Sequence, residues 1–305
     1  MIRARYRRHR LECGITMSFA YHIAVFFVRP ECGRYPVVVR KARVVSCIQR
    51  LITFLVLSSV MHPVPGISAT ADLDNVLTGT HQRIEALDYR VTGRLVRVEG
   101  NGQRTTYRFK IKGHWFPDGL RLLCEITEPA VARSRLLVHM TVNGRVTIDV
   151  IPPGSKVVSP LPFERWNEGL MGTNFSYEDL VEGQFFWKSQ QLMEQAKFGA
   201  RDCFVLKSVP GPQDRSYYDS VTSWIDRSIL FPVHVSKILH GTGQQKEFVY
   251  YSLRQTGGVW SASQVEAQIQ GKPGSSLFIV EGGSGKAKLV RKDFDLSQAE
   301  ADAPK

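Results

Sequence analysis

Residues 171–187 read MGTNFSYEDLVEGQFFW. On either side the chain alternates apolar and polar residues, the period-two pattern of half-buried strands, and this segment drops it. It gathers Phe175, Tyr177, Phe185, Phe186 and Trp187 around the acids Glu178, Asp179 and Glu182. How this interruption sits among the flanking strands decides the fold.

Upstream, TTYRFKIKG (105–113) sets Tyr107, Phe109 and Ile111 against Arg108, Lys110 and Lys112. With YRVTGRLVRV (89–98) and the turn EGNGQ between them, it predicts a hairpin. LRLLCEITE (120–128), SRLLVHMTV (134–142) and RVTIDVI (145–151) continue the pattern, the last two joined by an Asn143–Gly144 turn. Downstream, strands are predicted at CFVLKSV, YDSVTSWID, PVHVSKIL, EFVYYSLR and VEAQIQ, with short ones at SLFIV and KAKLV. The connections are too short for parallel crossovers. The fold class expected is therefore mainly β (α+β): an antiparallel sheet of about eleven strands that curls into an incomplete barrel. A helix is predicted over 72–88, where Val76, Leu77, Ile84 and Leu87 fall at helical spacing. Within an insertion at 163–198, two short helices are expected, SYEDLVEGQF (176–185) and SQQLMEQAKF (189–198). Ser176 suits an N-cap there, and Glu178 and Asp179 suit the first turn, so the acids read as helix-start chemistry. Helices in mid-chain would form a lid over the concave face.

The formal net charge is +12, but residues 1–71 hold 11 Lys/Arg against 2 Asp/Glu, leaving 29 against 26 for the remainder. A near-neutral body argues against a nucleic-acid surface, since such affinity comes largely from Lys/Arg on phosphates. The basic leader reads as an export signal: Arg40, Lys41, Arg43 and Arg50, then the apolar run LITFLVLSSVM (51–61), then Ala69 and Ala71 as an A-x-A cleavage site. Eleven apolar residues fall short of the roughly 20 needed to span a bilayer; an uncleaved anchor is the other reading. Residues 1 to about 40 read as a start-site overcall. The expected organisation is a leader at 1–71, one domain at 72–298 and a polar tail at 299–305, in an exported, periplasmic protein. After the leader only Cys124 and Cys203 remain; they read either as a disulfide or as small core residues.

Catalytic patterns fail one by one. GGSGK (282–286) lacks the first Gly and the final Ser/Thr of a phosphate loop. His81, His114, His139, His234 and His240 show no metal-ligand spacing, and His139 and His234 fall on polar strand faces. Neither G-x-S-x-G nor C-x-x-C occurs. No enzyme activity, catalytic residue, metal or cofactor is expected.

The segment Met171-Gly172-Thr173-Asn174-Phe175-Ser176-Tyr177-Glu178-Asp179-Leu180, with DCFVLKSVP after it and Trp224, Ile225, Asp226 and Pro232 in a later strand pair, resembles the outer-membrane lipoprotein-sorting family, the LolA-like carriers of the bacterial periplasm. The resemblance covers nearly all of residues 72–295. It implies an incomplete antiparallel barrel with helices over an apolar concavity that takes lipid or lipoprotein acyl chains. It also implies an inner-membrane lipid exporter and an outer-membrane acceptor as partners; a monomer is expected. Hiding a sixteen-carbon chain from water is worth on the order of 12 kcal/mol at about 0.8 per methylene, and a mobile cover lets that burial be reversed. The contacts expected are Trp166, Leu170, Met171, Phe175, Tyr177, Phe185, Phe186 and Trp187; the same aromatics would equally serve as plain core. Two other function classes stay open: a periplasmic lipid or lipoprotein sensor of the kind that binds an anti-sigma factor, and a hydrolase with a dispersed site.

Overall fold

Alternation becomes burial in the structure, a computed structural model that describes residues 69–297. Phe109 and Ile111 are buried while the alternate residues Lys110 and Lys112 are not, and Leu120, Leu122, Cys124 and Ile126 are buried at the same spacing. One α-helix, α1 (Ala69–Glu85), precedes β1 (Asp88–Val98), β2 (Arg104–Phe116), β3 (Gly119–Glu128), β4 (Ser134–Thr141), β5 (Val146–Ile151) and β6 (Ser159–Pro160). After the insertion come β7 (Ser189–Leu192), β8 (Ala196–Phe198), β9 (Arg201–Val209), β10 (Tyr218–Asp226), β11 (Phe231–Leu239), β12 (Gln245–Thr256), β13 (Val259–Ile269) and β14 (Ser275–Ser284). These strands form one antiparallel sheet in the order β6-β5-β4-β3-β2-β1-β14-β13-β12-β11-β10-β9-β7, with β8 also paired to β9. The sheet is not closed into a barrel.

The strand count is fourteen rather than about eleven, and the difference lies mostly in the insertion. SQQLMEQAKF, expected as a helix, is instead β7 and β8, both laid antiparallel on β9. Its polar residues tolerate either conformation, and the free edge of β9 selects the extended one. SYEDLVEGQF is not an α-helix either: it makes two 3₁₀ turns, Glu178–Leu180 and Gly183–Phe186. Ser176 caps no helix. KAKLV is likewise no strand. Residues 286–296 cross the outer face of the sheet instead, where Leu289, Phe294 and Leu296 cover Phe116, Leu123 and Ile151. Asp88 tethers this strap by accepting from the Lys288 and Leu289 backbones at 2.8 and 3.1 Å, and Arg291 grips Asp118 through both guanidinium arms.

The inner face carries the main core. Residues from both halves of the sheet, such as Val138 on β4 and Val221 on β10, join α1 (Val76, Ile84) and the insertion (Trp166, Leu170, Phe185) in one cluster. Cys124 and Cys203 are both free and buried, which settles their reading as small core residues. His234 is not solvated: its ring stacks on Phe198 at 4.7 Å and meets Trp224 at 4.4 Å. Among the described residues no helix is long and apolar enough to cross a membrane. Residues 1–68 of the leader and the polar tail from 299 lie outside the described residues, whereas Ala69 and Ala71 of the expected cleavage site fall in the first turn of α1.

Candidate functional site: a cavity beneath the insertion

Each residue of the motif segment has a local task. Met171 (φ 53°) and Gly172 (φ 71°) both sit in the left-handed region, with the Thr173 amide donating to the Leu170 carbonyl at 3.1 Å. This is a type I′ turn, whose first central position rarely holds a residue as bulky as Met. The positive φ is what favours glycine at 172; a Cβ there would meet only the far end of the flexible Arg97 side chain, at 2.7 Å. Asn174 ties the turn to the sheet: its amide side chain donates to the Ala267 carbonyl at 3.1 Å, and its backbone N–H to Ser276 Oγ at 2.9 Å.

Beyond the turn lies a buried ionic cluster. Asp179, its side chain 1% exposed, accepts from Lys237 Nζ at 2.8 Å, from Lys246 Nζ, from the Tyr218 hydroxyl at 2.7 Å and from Ser176 Oγ at 2.7 Å. Lys237 and Lys246 are directly opposite each other on β11 and β12, where like charges repel. Asp179 resolves that conflict. Burial alone would raise its pKa, but the charges and hydrogen bonds of the two lysines hold it well below the usual carboxylate range. Glu178 is raised by burial, although Ser216 Oγ and the Tyr217 amide both donate to it. The acids are therefore anchors that pin the insertion to β10, β11 and β12, and not helix-start chemistry.

Between insertion, α1 and sheet lies a cavity of about 440 Å³, within the range of roughly 300–1,000 Å³ usual for small-molecule sites. Val91, Ile111, Leu120, Leu122, Phe248 and Phe278 supply its apolar wall. Phe175 closes over it, its ring 5.8 Å from Phe248 and 6.2 Å from Phe278. Trp260, Val259 and Gly282–Gly285, near the tips of β12–β13 and β14, line the outer part. Arg83 of α1 bridges to Glu182 of the insertion at 2.6 Å, the two side chains 10% and 26% exposed. His81 Nε2 donates to the Phe185 carbonyl at 2.8 Å, and its ring stacks on Phe186 at 4.5 Å. Helix and insertion thus form a joined cover.

Of the eight residues singled out from the sequence, Phe175 lines this cavity. Trp187 lines a second, smaller one of about 300 Å³ beside Arg145, Arg215 and Glu178. Trp166, Leu170 and Phe185 are buried in the core, Trp166 donating through Nε1 to the Leu161 carbonyl at 3.1 Å. Met171, Tyr177 and Phe186 pack half-buried against it. The wall residues escaped sequence reading because each is one more apolar position in an alternating strand. Lys237 and Lys246 did leave a signal: each occupies an inward position, beside Val235 and Leu239 or Phe248 and Tyr250, where the alternation calls for an apolar residue.

Searched against solved structures, the chain is similar to a putative outer membrane lipoprotein-sorting protein domain from Vibrio parahaemolyticus, at 19% identity and a TM-score of 0.67, over 75% of this chain and 99% of that one. It is similar to a DUF1329 family protein from Desulfovibrio piger at 14% identity and a TM-score of 0.65, over 73% and 97%. It is also similar to a LolA superfamily protein from Nitrosomonas europaea at 16% identity and a TM-score of 0.58, again over 73% and 97%. No curated protein matches the sequence. A family model whose description is "uncharacterized protein" matches residues 120–298, more than half of the chain. The chain belongs to that family, and its fold is the LolA-like one.

Proposed function

We propose that this protein is a periplasmic carrier that shields a lipid or lipoprotein acyl chain in the cavity beneath the insertion, on the way towards the outer membrane. The observation that carries the reading is the cavity itself: about 440 Å³ with an apolar wall, roofed by a segment joined to the sheet and to α1 by polar contacts. An antiparallel sheet with this inner face has enough apolar side chains to fill itself, so a retained cavity points to a ligand. The fold shared with a lipoprotein-sorting domain and a LolA superfamily protein supports the same reading. Leader, domain at 72–298 and tail fit an exported monomer that meets an inner-membrane exporter and an outer-membrane acceptor in turn. Of the eight aromatic and apolar residues of the insertion, Phe175 is the one proposed to touch the chain directly; the others hold the cover in shape. Binding and release need no chemical step, so the protein is proposed not to be an enzyme.

Native mass spectrometry of protein purified from the periplasm, followed by lipid extraction, tests this. A co-purifying acylated molecule is expected in the wild type. It should be depleted in Leu122→Trp, which places bulk inside the cavity, provided that variant melts as a folded protein. A clean mass with no uptake of offered lipids would overturn the reading.

A further inference from the structure

The smaller cavity, of about 300 Å³, shares only Gln184 and Lys237 with the main one, and its charges are unequally matched. Its floor is formed by buried Glu178, Gln184, Trp187, Tyr218 and Lys237. Two acids line it, and the fold already uses both. Glu178 accepts from Ser216 Oγ and, at 3.0 Å, from the Tyr217 amide. Asp214 accepts from the Gly211 amide at 2.8 Å. Lys237 is matched by Asp179. The two arginines at the rim are not matched. Arg145, in the turn between β4 and β5, and Arg215, in the loop between β9 and β10, are both exposed. Among the described residues neither guanidinium has an ion pair or a hydrogen-bond acceptor.

Arg215 is nonetheless held in place. Its guanidinium lies over the Phe163 ring at 4.7 Å, and Phe163 stacks in turn on Tyr217 at 4.6 Å. An arginine engaged through its face keeps its in-plane N–H fork for the paired oxygens of an oxyanion. The floor adds to the field. Asp179 answers two lysines, Lys237 and Lys246, which leaves one positive charge over. Glu178 offsets that charge only as a carboxylate, and burial raises its pKa. Asp214 is then the one rim acid that opposes an anion, against two arginines.

We propose that this second cavity binds a phosphate monoester, with Arg145 and Arg215 donating to the phosphate oxygens and the esterified group lying along Trp187. Two arginines answer the roughly −1.5 to −2 charge of such a group, and the volume leaves room for what bears it. The test is isothermal titration calorimetry of the purified protein with glycerol 3-phosphate, glycerol, inorganic phosphate and phosphatidylcholine vesicles containing phosphatidic acid. Glycerol 3-phosphate should bind and glycerol should not. Its affinity should fall about tenfold or more in Arg145→Gln and in Arg215→Gln, the scale of one charge-assisted hydrogen bond, and should rise in Asp214→Asn. Unchanged melting midpoints certify the fold. Should Arg215→Gln melt lower through loss of its contact with Phe163, Arg145→Gln, which packs on no ring among the described residues, carries the test. Binding of glycerol 3-phosphate marks a soluble phosphate ester as the source. Binding of the vesicles alone, with the same arginine dependence, marks a lipid headgroup and keeps the phosphate site. Inorganic phosphate binding as tightly as glycerol 3-phosphate would overturn the assignment to an ester. No binding of any phosphate-bearing probe, or binding that both arginine variants leave unchanged, would overturn the site, and neither result bears on the acyl-chain cavity.

Discussion

Asp179 is the residue on which the insertion hangs. With two lysines opposed across β11 and β12 and buried, removal of the single carboxylate between them leaves uncompensated charge in the core. Breaking a buried pair from one side costs about 3–5 kcal/mol, and Asp179→Asn is expected to lower the unfolding free energy by that amount in a denaturant titration. The pH dependence has a definite sign. A carboxylate whose pKa is depressed by folding stabilises fully above its unfolded value, here 3.8, and that contribution is lost as pH falls through the lower folded value. The gap between wild type and Asp179→Asn should thus be constant above about pH 5 and narrow with further acidification. A gap that widened in acid would contradict this account of the cluster. At this scale the sequence was half legible. The acids were visible, but their role was not, because their partners lie 38 to 67 residues further along the chain.

At the scale of elements, two of the contacts that hold the cover are of unequal strength. The Asp179 cluster is dry; the Arg83–Glu182 bridge between α1 and the insertion is part-exposed. The weaker point is where the cover would open, since segments that move come from the low-stability end of a structure. Arg83→Ala, losing about 1 kcal/mol, is expected to speed amide hydrogen exchange at residues 182–187 roughly fivefold while the strands β10–β12 keep their protection. Uniform acceleration across the sheet would mean that Arg83 supports the whole fold and not the cover. Elements were also where the sequence misled. Period-two alternation located β1–β5 and β9–β13 because each buries one face. In 189–198 no face is buried deeply, so no periodicity marks β7 and β8. In 176–185 the apolar residues must turn inward within a few positions, and Gly183 interrupts any longer helix, so 3₁₀ turns result.

For the whole molecule, the architecture converts an ordinary strand pattern into a container. The sheet leaves its edges at β6 and β7 unjoined, and its inner face is filled at one end by core and at the other by the cavity. Which apolar residues meet solvent-sized space depends on curvature and on the position of the cover, and neither has a local sequence signature. This is why the general architecture could be read from alternation and turns, whereas of the insertion residues picked out beforehand Phe175 alone lines the main cavity. The chain's five tryptophans provide a direct test of that geometry. Trp260 lines the cavity, Trp166 and Trp187 lie in the core cluster, and Trp115 and Trp224 pack against Phe186 and His234. Bromine quenches indole fluorescence only near contact, so a palmitoyl glycerol brominated along its chain reports which tryptophan it touches. The account predicts strong quenching in the wild type and loss of most of it in Trp260→Phe. Quenching that survives Trp260→Phe and disappears in Trp187→Phe would place the chain against the insertion's aromatic core and contradict the cavity described here.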